Sequence, residues 1–197
     1  MTNKEFTSET IILENDRARL EPLQEKHVEV LLPIALHPEL WLFTGAKIRD
    51  EKTFRDYFNT ALLERESGIA YPFAIFDKQH NGYGGCTRFG NIALGHKRVE
   101  IGWTWYLPAL QQTGLNRACK FLLLQYGFET LQLNRIELKT SLYNIKSQNA
   151  IQKIGATREG VLRKHSINDD GTVRDTVYYS IINDEWPQIR NTIFKGY

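Results

Sequence analysis

Apolar and polar positions follow two rhythms along this chain, and each rhythm predicts one kind of element. Alternation with a period of two is clearest in Arg98–Leu107, which we therefore predict to be a strand. Its apolar face is expected to carry Val99, Ile101, Trp103, Trp105 and Leu107. Its other face is expected to carry Glu100, Gly102, Thr104 and Tyr106.

Other alternating runs, separated by turn residues, predict further strands. These are Thr10–Leu13, Ala18–Glu21, Tyr71–Phe76, Gly84–Phe89, Arg135–Leu142, Gly160–Ile167 and Thr172–Ile182. Apolar residues spaced by three and four predict helices. These are His27–Leu36, Glu51–Arg65, Gly114–Leu131, Lys146–Ile154 and a tail from Asp184. The order ββ-αα-βββ-α-β-α-ββ follows an N-terminal segment that we expect to be extended, and it predicts one mixed α/β domain over residues 1–197.

Composition and charge narrow the function classes. The chain is 42% hydrophobic and 24% charged, as in an ordinary globular protein. The formal net charge is only +2 and the basic residues form no stripe, so we expect no nucleic-acid partner. Without a signal-peptide pattern or an apolar run of about 20 residues, we expect no membrane partner. Cys86 and Cys119 lie in unrelated segments, which favours buried thiols, no metal site and a reducing cytoplasm.

The segment QQTGLN stands between a predicted strand and a predicted helix. The first backbone N–H groups of a helix have no partner within the helix and can bind a phosphate. Gly114 would let the main chain approach such a ligand closely, and Thr113 could add a hydroxyl. A plain turn glycine is the alternative. The candidate phosphate-binding residues are Gln111, Gln112, Thr113, Gly114, Leu115 and Asn116.

A second polar group lies in TSLYNIKSQNAIQKIGATREG. Asn144 is suited to cap the helix that follows it, by accepting a hydrogen bond from an N–H near Ser147. Ser147 precedes Ile151 and Ile154 by four and seven residues, so it shares their inward face. Its hydroxyl either bonds to the local backbone or points at a ligand between the two helices.

Together, QQTGLN and NIKSQNAIQKIGATREGVLR resemble the GNAT superfamily of acetyl-coenzyme-A-dependent N-acetyltransferases, in particular its Rim-type branch of ribosomal-protein N-terminal acetyltransferases. The resemblance spans about residues 17–186. It implies a GNAT-like α/β domain (an α+β mixed sheet) in which a central, mostly antiparallel sheet contains a splayed strand pair and is flanked by helices. It also implies acetyl-coenzyme A as the acetyl donor and, by family analogy alone, a homodimer.

The resemblance also implies roles for individual residues. Pantetheine would bind the backbone of the splayed strand near Trp103, Thr104 and Trp105, although both tryptophans could instead be core residues. Pyrophosphate would bind at Gln111, Gly114 and the loop residues listed above, where Asn116 departs from the family's usual small residue. Glu100 would be the general base, Ser147 would donate a proton to the coenzyme sulfur, and Asn144 would contact the cofactor. Trp41, Phe43 and Tyr178 would line the acceptor pocket.

These features predict transfer of an acetyl group to a primary amine, most simply the N-terminal amine of a ribosomal-type protein. A small-molecule acceptor such as a polyamine, an amino acid or an antibiotic amine is the alternative within the enzyme class. A non-catalytic module that binds acyl-coenzyme A is the alternative outside it. The near-neutral charge does not separate these acceptors, whereas an acidic pocket would favour a polycation.

Overall fold

The alternating segments form one eight-stranded sheet in a computed structural model that describes residues 1–197. The strands are β1 (Leu13–Glu14), β2 (Ala18–Pro22), β3 (Tyr71–Asp77), β4 (Gly82–Ala93), β5 (Arg98–Tyr106), β6 (Arg135–Ser141), β7 (Thr157–Ile167) and β8 (Val173–Ile182). Their spatial order is β1-β2-β3-β4-β5-β6-β8-β7, and every neighbouring pair is antiparallel except β5 and β6. The predicted mixed sheet with flanking helices is therefore confirmed.

Six α-helices accompany the sheet. They are α1 (Asn3–Ser8), α2 (Val28–Ala35), α3 (Glu51–Glu66), α4 (Leu115–Gln125), α5 (Ile145–Gln152) and α6 (Trp186–Thr192). A π-helical turn, Tyr126–Thr130, extends α4, and short 3-10 turns occupy Glu25–His27, Pro38–Trp41, Leu94–His96 and Pro108–Leu110. None of the helices combines the length and the apolar character needed to cross a membrane.

The extended N-terminal segment that the sequence predicted is wrong, because α1 forms there. Thr2 and Glu5 make a capping box, in which each side chain accepts a hydrogen bond from the other residue's backbone N–H. Phe6 is completely buried and packs against Tyr71 at a ring-centroid distance of 5.6 Å. The cap, the buried Phe6 ring and the hydrogen bond from Arg65 Nε to the Thr7 carbonyl together hold this short helix.

Two hydrophobic cores lie on opposite faces of the sheet. The larger core takes alternate strand residues such as Phe73 and Ile101 and packs them against α4 through residues such as Leu123. The smaller core takes the intervening residues, including Ala74, and packs them against α2 and α3 through residues such as Phe54. We call these the α4 core and the α2–α3 core.

A β-bulge reverses the alternation of β5 in the middle of the strand. Cys86 pairs with Trp105 and Arg88 pairs with Gly102, so Trp103 and Thr104 together oppose a single residue of β4. Trp103 adopts the left-handed region, with φ of 50°. The prediction that all the apolar residues of β5 share one face is therefore wrong. Val99, Ile101 and Tyr106 enter the α4 core, whereas Trp105 enters the α2–α3 core.

β5 and β6 separate soon after they begin. Their parallel register joins Arg98–Glu100 to Arg135–Glu137 and extends no further. From Ile101 onward in β5 and from Leu138 onward in β6, the facing edges have no ladder partner in each other. The sheet is thus open between these two strands, as the resemblance implied, and the bulge of β5 lies along the open edge.

Candidate active site

The start of α4 presents a row of unpaired backbone donors. Gly114 is the N-cap residue with φ of 93°, and an added Cβ there would meet no atom within 4 Å. The first N–H with a helical partner is that of Ala118, which donates to the Gly114 carbonyl at 3.0 Å. The backbone N–H groups from Gln112 to Arg117 donate to no protein acceptor. This end of the helix also carries the positive end of its dipole, so the arrangement suits a phosphate.

Side chains hold this loop in position. The Tyr106 hydroxyl donates to Asn116 Oδ1 at 3.1 Å, which ties the Asn116 side chain to β5. The Thr113 hydroxyl donates to the Leu110 carbonyl at 2.7 Å and accepts from Arg17 at 3.2 Å. The Asn116 side chain is thus held against β5, and the Asn116 backbone N–H has no acceptor in the protein. The larger side chain that departs from the family pattern therefore does not occupy this N–H. Arg17, which the sequence did not single out, also pairs with Asp77 at 2.5 Å.

Beside this loop, the open edge of β5 offers free main-chain groups where β6 has moved away. An extended amide chain can bind such an edge as an additional strand would. The bulge at Trp103 and Thr104 lies along this part of β5. A phosphate cradle that continues into an unpaired strand edge fits a long ligand with an anionic end and an amide-containing arm.

Glu100 lies at the point where β5 and β6 separate. It is only 3% exposed, and its Oε2 accepts hydrogen bonds from Asn91 Nδ2 at 2.6 Å and from Lys139 Nζ at 2.9 Å. Its Oε1 takes no hydrogen bond from this group of residues and lies over Gly102, where an added Cβ would approach it to 3.0 Å. The carboxylate is therefore fixed through one oxygen and keeps the other oxygen beside the opening.

Polar and aromatic side chains surround Glu100 on the same face of the sheet. Trp103 is 37% exposed and its ring lies over Gly90, and the Arg88 guanidinium lies 5.1 Å from the centre of that ring. Arg88 is paired with Glu64 of α3 at 2.6 Å. We call the surface formed by Arg88, Glu100, Trp103, Lys139 and Tyr178 the polar groove. Because Trp103 is partly exposed here, the alternative that it is a buried core residue is wrong.

Asn144 and Ser147 lie just after β6. Asn144 caps α5, because its Oδ1 accepts from the backbone N–H of Ser147 at 3.0 Å, as predicted. Ser147 is half-buried and its hydroxyl has no partner in the protein. Ile151 and Ile154, which follow it on the same side of the helix, enter the α4 core. The Ser147 hydroxyl is therefore free to meet a ligand, and its role stays a prediction.

The three predicted acceptor-contact residues occupy different environments. Trp41 is 4% exposed, donates to the Ala35 carbonyl and packs on Trp105 at 5.7 Å, so it supports the groove from within the α2–α3 core. Phe43 is 43% exposed. Tyr178 belongs to the polar groove, where Lys139 Nζ lies 5.7 Å from its ring centre. Direct contact of any of them with an acceptor stays a prediction.

Comparison with known proteins identifies the fold family. A family model described as "Acetyltransferase (GNAT) domain" matches residues 17–157, which is well over half of the chain. The chain belongs to the GNAT acetyltransferase family. It is therefore an acyl-coenzyme-A-dependent acetyltransferase, as the paired motifs predicted.

Several relatives of this acetyltransferase are similar over most of their length. YdaF of Bacillus subtilis, named as a "putative ribosomal N-acetyltransferase", is 25% identical, with 87% of this chain and 94% of that protein covered. The structure of a GCN5-related N-acetyltransferase from Brucella melitensis has a TM-score of 0.86 at 25% identity, covering 94% of this chain and 85% of the other. RimL, a ribosomal α-N-protein acetyltransferase in complex with coenzyme A, has a TM-score of 0.72 at 21% identity, covering 88% and 99%.

Besides Arg17, three further cations of the acetyltransferase's site were not identified from the sequence. Arg88 and Lys139 contact the groove residues described above, and Arg174 of β8 faces the same side as Tyr178. The alternation along β6 and β8 could have indicated two of them, because Lys139 and Arg174 occupy alternate positions that face away from the α4 core, as Tyr178 does. The pairing of β6 with β8, which brings these residues together, is a long-range contact that the alternation does not contain.

The acetyltransferase also buries a lysine beneath the bulge. Lys120 of α4 is 6% exposed, and its Nζ donates to Thr104 Oγ1 at 2.9 Å. Thr104 Oγ1 also lies 2.7 Å from Thr87 Oγ1. Burial lowers the pKa of Lys120 from 10.5 to about 8, because no carboxylate compensates the ammonium charge there. The cation therefore lies against the one irregular segment of β5.

Proposed function

We propose that this acetyltransferase transfers an acetyl group from acetyl-coenzyme A to the N-terminal amine of a protein, ribosomal proteins being the leading class. The observation that carries the proposal is the row of unpaired N–H groups from Gln112 to Arg117, which leads into the open edge of β5. A pyrophosphate and a pantetheine arm need these two features in this order. The coenzyme supplies an acetyl group activated as a thioester.

Binding of the coenzyme follows from the chain's own donors. The N–H groups around Gly114 would hold the pyrophosphate at the positive end of α4, with Gln111 and Thr113 at the edge of the loop. The main chain at Trp103, Thr104 and Trp105 would bond to the amides of the arm. Asn144 would fix the start of α5 beside the arm, because its side chain accepts the hydrogen bond of the Ser147 N–H.

Proton movements would fall to Glu100 and Ser147. An ammonium is no nucleophile, so the acceptor must lose a proton before it attacks the carbonyl carbon. Glu100 Oε1 would accept that proton, directly or through a water molecule, while Asn91 and Lys139 fix the other oxygen. The Ser147 hydroxyl would donate a proton to the departing thiolate sulfur and would be reprotonated, directly or through water, by the proton that the acceptor nitrogen loses as the amide forms. The retention of a positioned carboxylate in the polar groove argues against a non-catalytic binding module.

The choice of a protein N-terminus rests on the relatives and on the shape of the site. YdaF and RimL carry ribosomal acetyltransferase names, although RimL at 21% identity supports the fold alone. The polar groove is an open surface, bordered on one side by α3 through Arg88 and Glu64 and on the other by β8 through Tyr178. Such a surface can receive the end of an extended chain.

Calorimetric titration with acetyl-coenzyme A tests the cradle. The Gly114→Trp variant places a bulky side chain at a residue with φ of 93° and should abolish binding. Gly171→Trp is the matched control, because Gly171 also has positive φ, 81°, and open space around it, but lies in the β7–β8 turn. Wild-type binding that only Gly114→Trp removes supports the proposal. Absence of wild-type binding, or equal loss in both variants, contradicts it.

The acceptor is tested separately with matched peptides. A peptide with a free N-terminal serine should gain one acetyl group by mass spectrometry, whereas the same peptide with a blocked N-terminus should not. Acetylation of an internal lysine in the blocked peptide, or of a polyamine in preference to both peptides, would overturn the N-terminal assignment and leave the enzyme class standing.

A further inference from the structure

One cation beside the polar groove, Arg174, has no partner. Arg88 is paired with Glu64 and Lys139 is paired with Glu100, so each of these charges is compensated. Arg174 of β8 forms no ion pair, and its Nε is buried without a hydrogen-bond partner. A buried donor on a charged group is costly to leave unsatisfied, so its retention calls for an explanation.

The position of Arg174 places it beside the site of transfer. Along β8 it shares the face of Thr176 and Tyr178, which pair with Ser141 and Lys139 of β6. It lies two residues beyond Thr176 and past the last residue of β6, at the end of β6 where that strand no longer pairs with β5. The Glu100 carboxylate is close enough to influence the Arg174 charge without forming an ion pair with it.

A second unpartnered group lies beside Arg174. Ser166 of β7 pairs in register with Arg174, so both side chains emerge on the same face of the hairpin. The Ser166 hydroxyl is buried and has no hydrogen-bond partner. A guanidinium and a hydroxyl that both lack acceptors are the donors that recognise a carboxylate, which an arginine can bind through two parallel bonds.

We propose that Arg174, with Ser166, binds a carboxylate that the acceptor carries a few atoms from its reacting amine. The proposal rests on the proposed function and adds a substrate class to it: acceptors with an acidic group near the amine. Two sources supply this chemistry, an acidic side chain near the N-terminus of a protein and the carboxylate of a free amino acid or dipeptide. Arg174 is a cation without an ion-pair partner here, so a polyamine is a poor acceptor.

The first experiment compares amidated peptides that differ only in charge. They begin Ser-Asp-Asp, Ser-Asn-Asn or Ser-Lys-Lys and share the remaining sequence. A charge-assisted contact predicts that kcat/KM for the acidic peptide exceeds that for the neutral one by about 10- to 100-fold, with the basic peptide slowest. Equal rates for the acidic and neutral peptides would overturn the proposal.

Variants then assign the preference to Arg174. Arg174→Gln should reduce the acidic-to-neutral ratio to about one while the neutral peptide is still acetylated, and Arg174→Lys should keep part of the preference. Arg158→Gln is the matched control, because Arg158 is an exposed arginine of the same hairpin that pairs with Tyr179 and so lies on the opposite face. A preference that survives in Arg174→Gln contradicts the assignment. Calorimetric affinity for acetyl-coenzyme A checks that each variant is folded.

Failure of the proposed function gives a different result from failure of this inference. If no peptide is acetylated, aspartate, glutamate and their dipeptides are compared with the corresponding amides and with spermidine. Acetylation that requires the free carboxylate and is lost in Arg174→Gln supports the inference and replaces the protein acceptor by a small one. Acetylation of the amides or of spermidine at an equal or greater rate overturns it, as does the absence of any acetylated acceptor.

Discussion

Replacing Lys120 by methionine should stabilise the protein at neutral pH. The Lys120 ammonium is buried against Thr104 with no carboxylate beside it, and burial lowers its pKa from 10.5 to about 8. That difference corresponds to a cost of about 3 kcal/mol in the free energy of unfolding at neutral pH, since a tenfold change in a proton equilibrium is worth about 1.4 kcal/mol. Methionine has a similar volume and carries no charge.

The substitution also removes one hydrogen bond, worth about 1 kcal/mol, so the net gain at pH 7 should be about 2 kcal/mol. Thr104 is not left unpartnered, because its hydroxyl still lies 2.7 Å from the Thr87 hydroxyl and 3.3 Å from the Gly102 carbonyl. The exposed Lys153, at the end of α5, provides the matched control as Lys153→Met. It should leave the free energy of unfolding unchanged within about 0.5 kcal/mol.

The pH dependence separates charge burial from better packing. Below about pH 8, Lys120 is protonated in both the folded and the unfolded chain, and its full cost is present. As pH rises from about 8 to 10.5, the folded chain releases the proton while the unfolded chain retains it, so wild-type stability rises. The advantage of Lys120→Met should therefore shrink by about 2 kcal/mol between pH 7 and pH 10.

Urea unfolding of both proteins at several pH values, followed by fluorescence, measures this difference directly. A variant less stable than the wild type at pH 7, or a difference that does not change with pH, would refute the reasoning. A variant that gains stability but loses turnover would show that the contact of Lys120 with Thr104 of the bulge is needed for activity and lowers stability, as in other trade-offs between stability and activity.

Two further substitutions test the groove. Glu100→Gln should lower kcat by about 100-fold while leaving acetyl-coenzyme A affinity near normal, because the amide cannot accept the acceptor's proton; an unchanged kcat would exclude Glu100 as the base. Gly90→Ala places a Cβ 2.2 Å from the Trp103 ring, so the ring must move; we expect a loss of about 1–3 kcal/mol in urea unfolding and a raised KM for the acceptor. Gly95→Ala, which meets no atom within 4 Å, is the control, and equal behaviour of the two variants would count against this packing argument.

Periodicity predicted most of the strands and the long helices well, because most of them bury one face. It placed the first strand too early, at Thr10–Leu13 instead of Leu13–Glu14. It failed at Trp103, since the residue that a bulge adds depends on pairing with β4 and leaves no mark in the alternation of β5 itself. It also missed α1, although the pair of Thr2 and Glu5 is a recognisable capping box in the sequence.

For the candidate site too, the sequence predicted the local features and missed the long-range ones. Local motifs predicted the Gly114 loop and the Asn144 cap, which depend on residues close together in the chain. The contacts of Glu100 with Asn91 and Lys139 join three strands, so only the folded sheet brings them together. The unpaired Arg174 could not be recognised from the sequence, because the absence of a partner is a property of the whole surroundings.

The separation of β5 from β6 divides the sheet into two parts, one formed by β1 to β5 and the other by β6, β8 and β7. The two parts remain joined where Arg98–Glu100 pairs with Arg135–Glu137. They are also joined at the far side by the β7–β8 turn, where the Asp169 N–H donates to the Gly45 carbonyl at 3.0 Å and Lys47 lies 3.6 Å from Asp170. An extended ligand that lies between the two parts would therefore take the place of a strand in the sheet. If the coenzyme arm binds along the open edge as proposed, each turnover would fill this gap in the sheet and then leave it empty again.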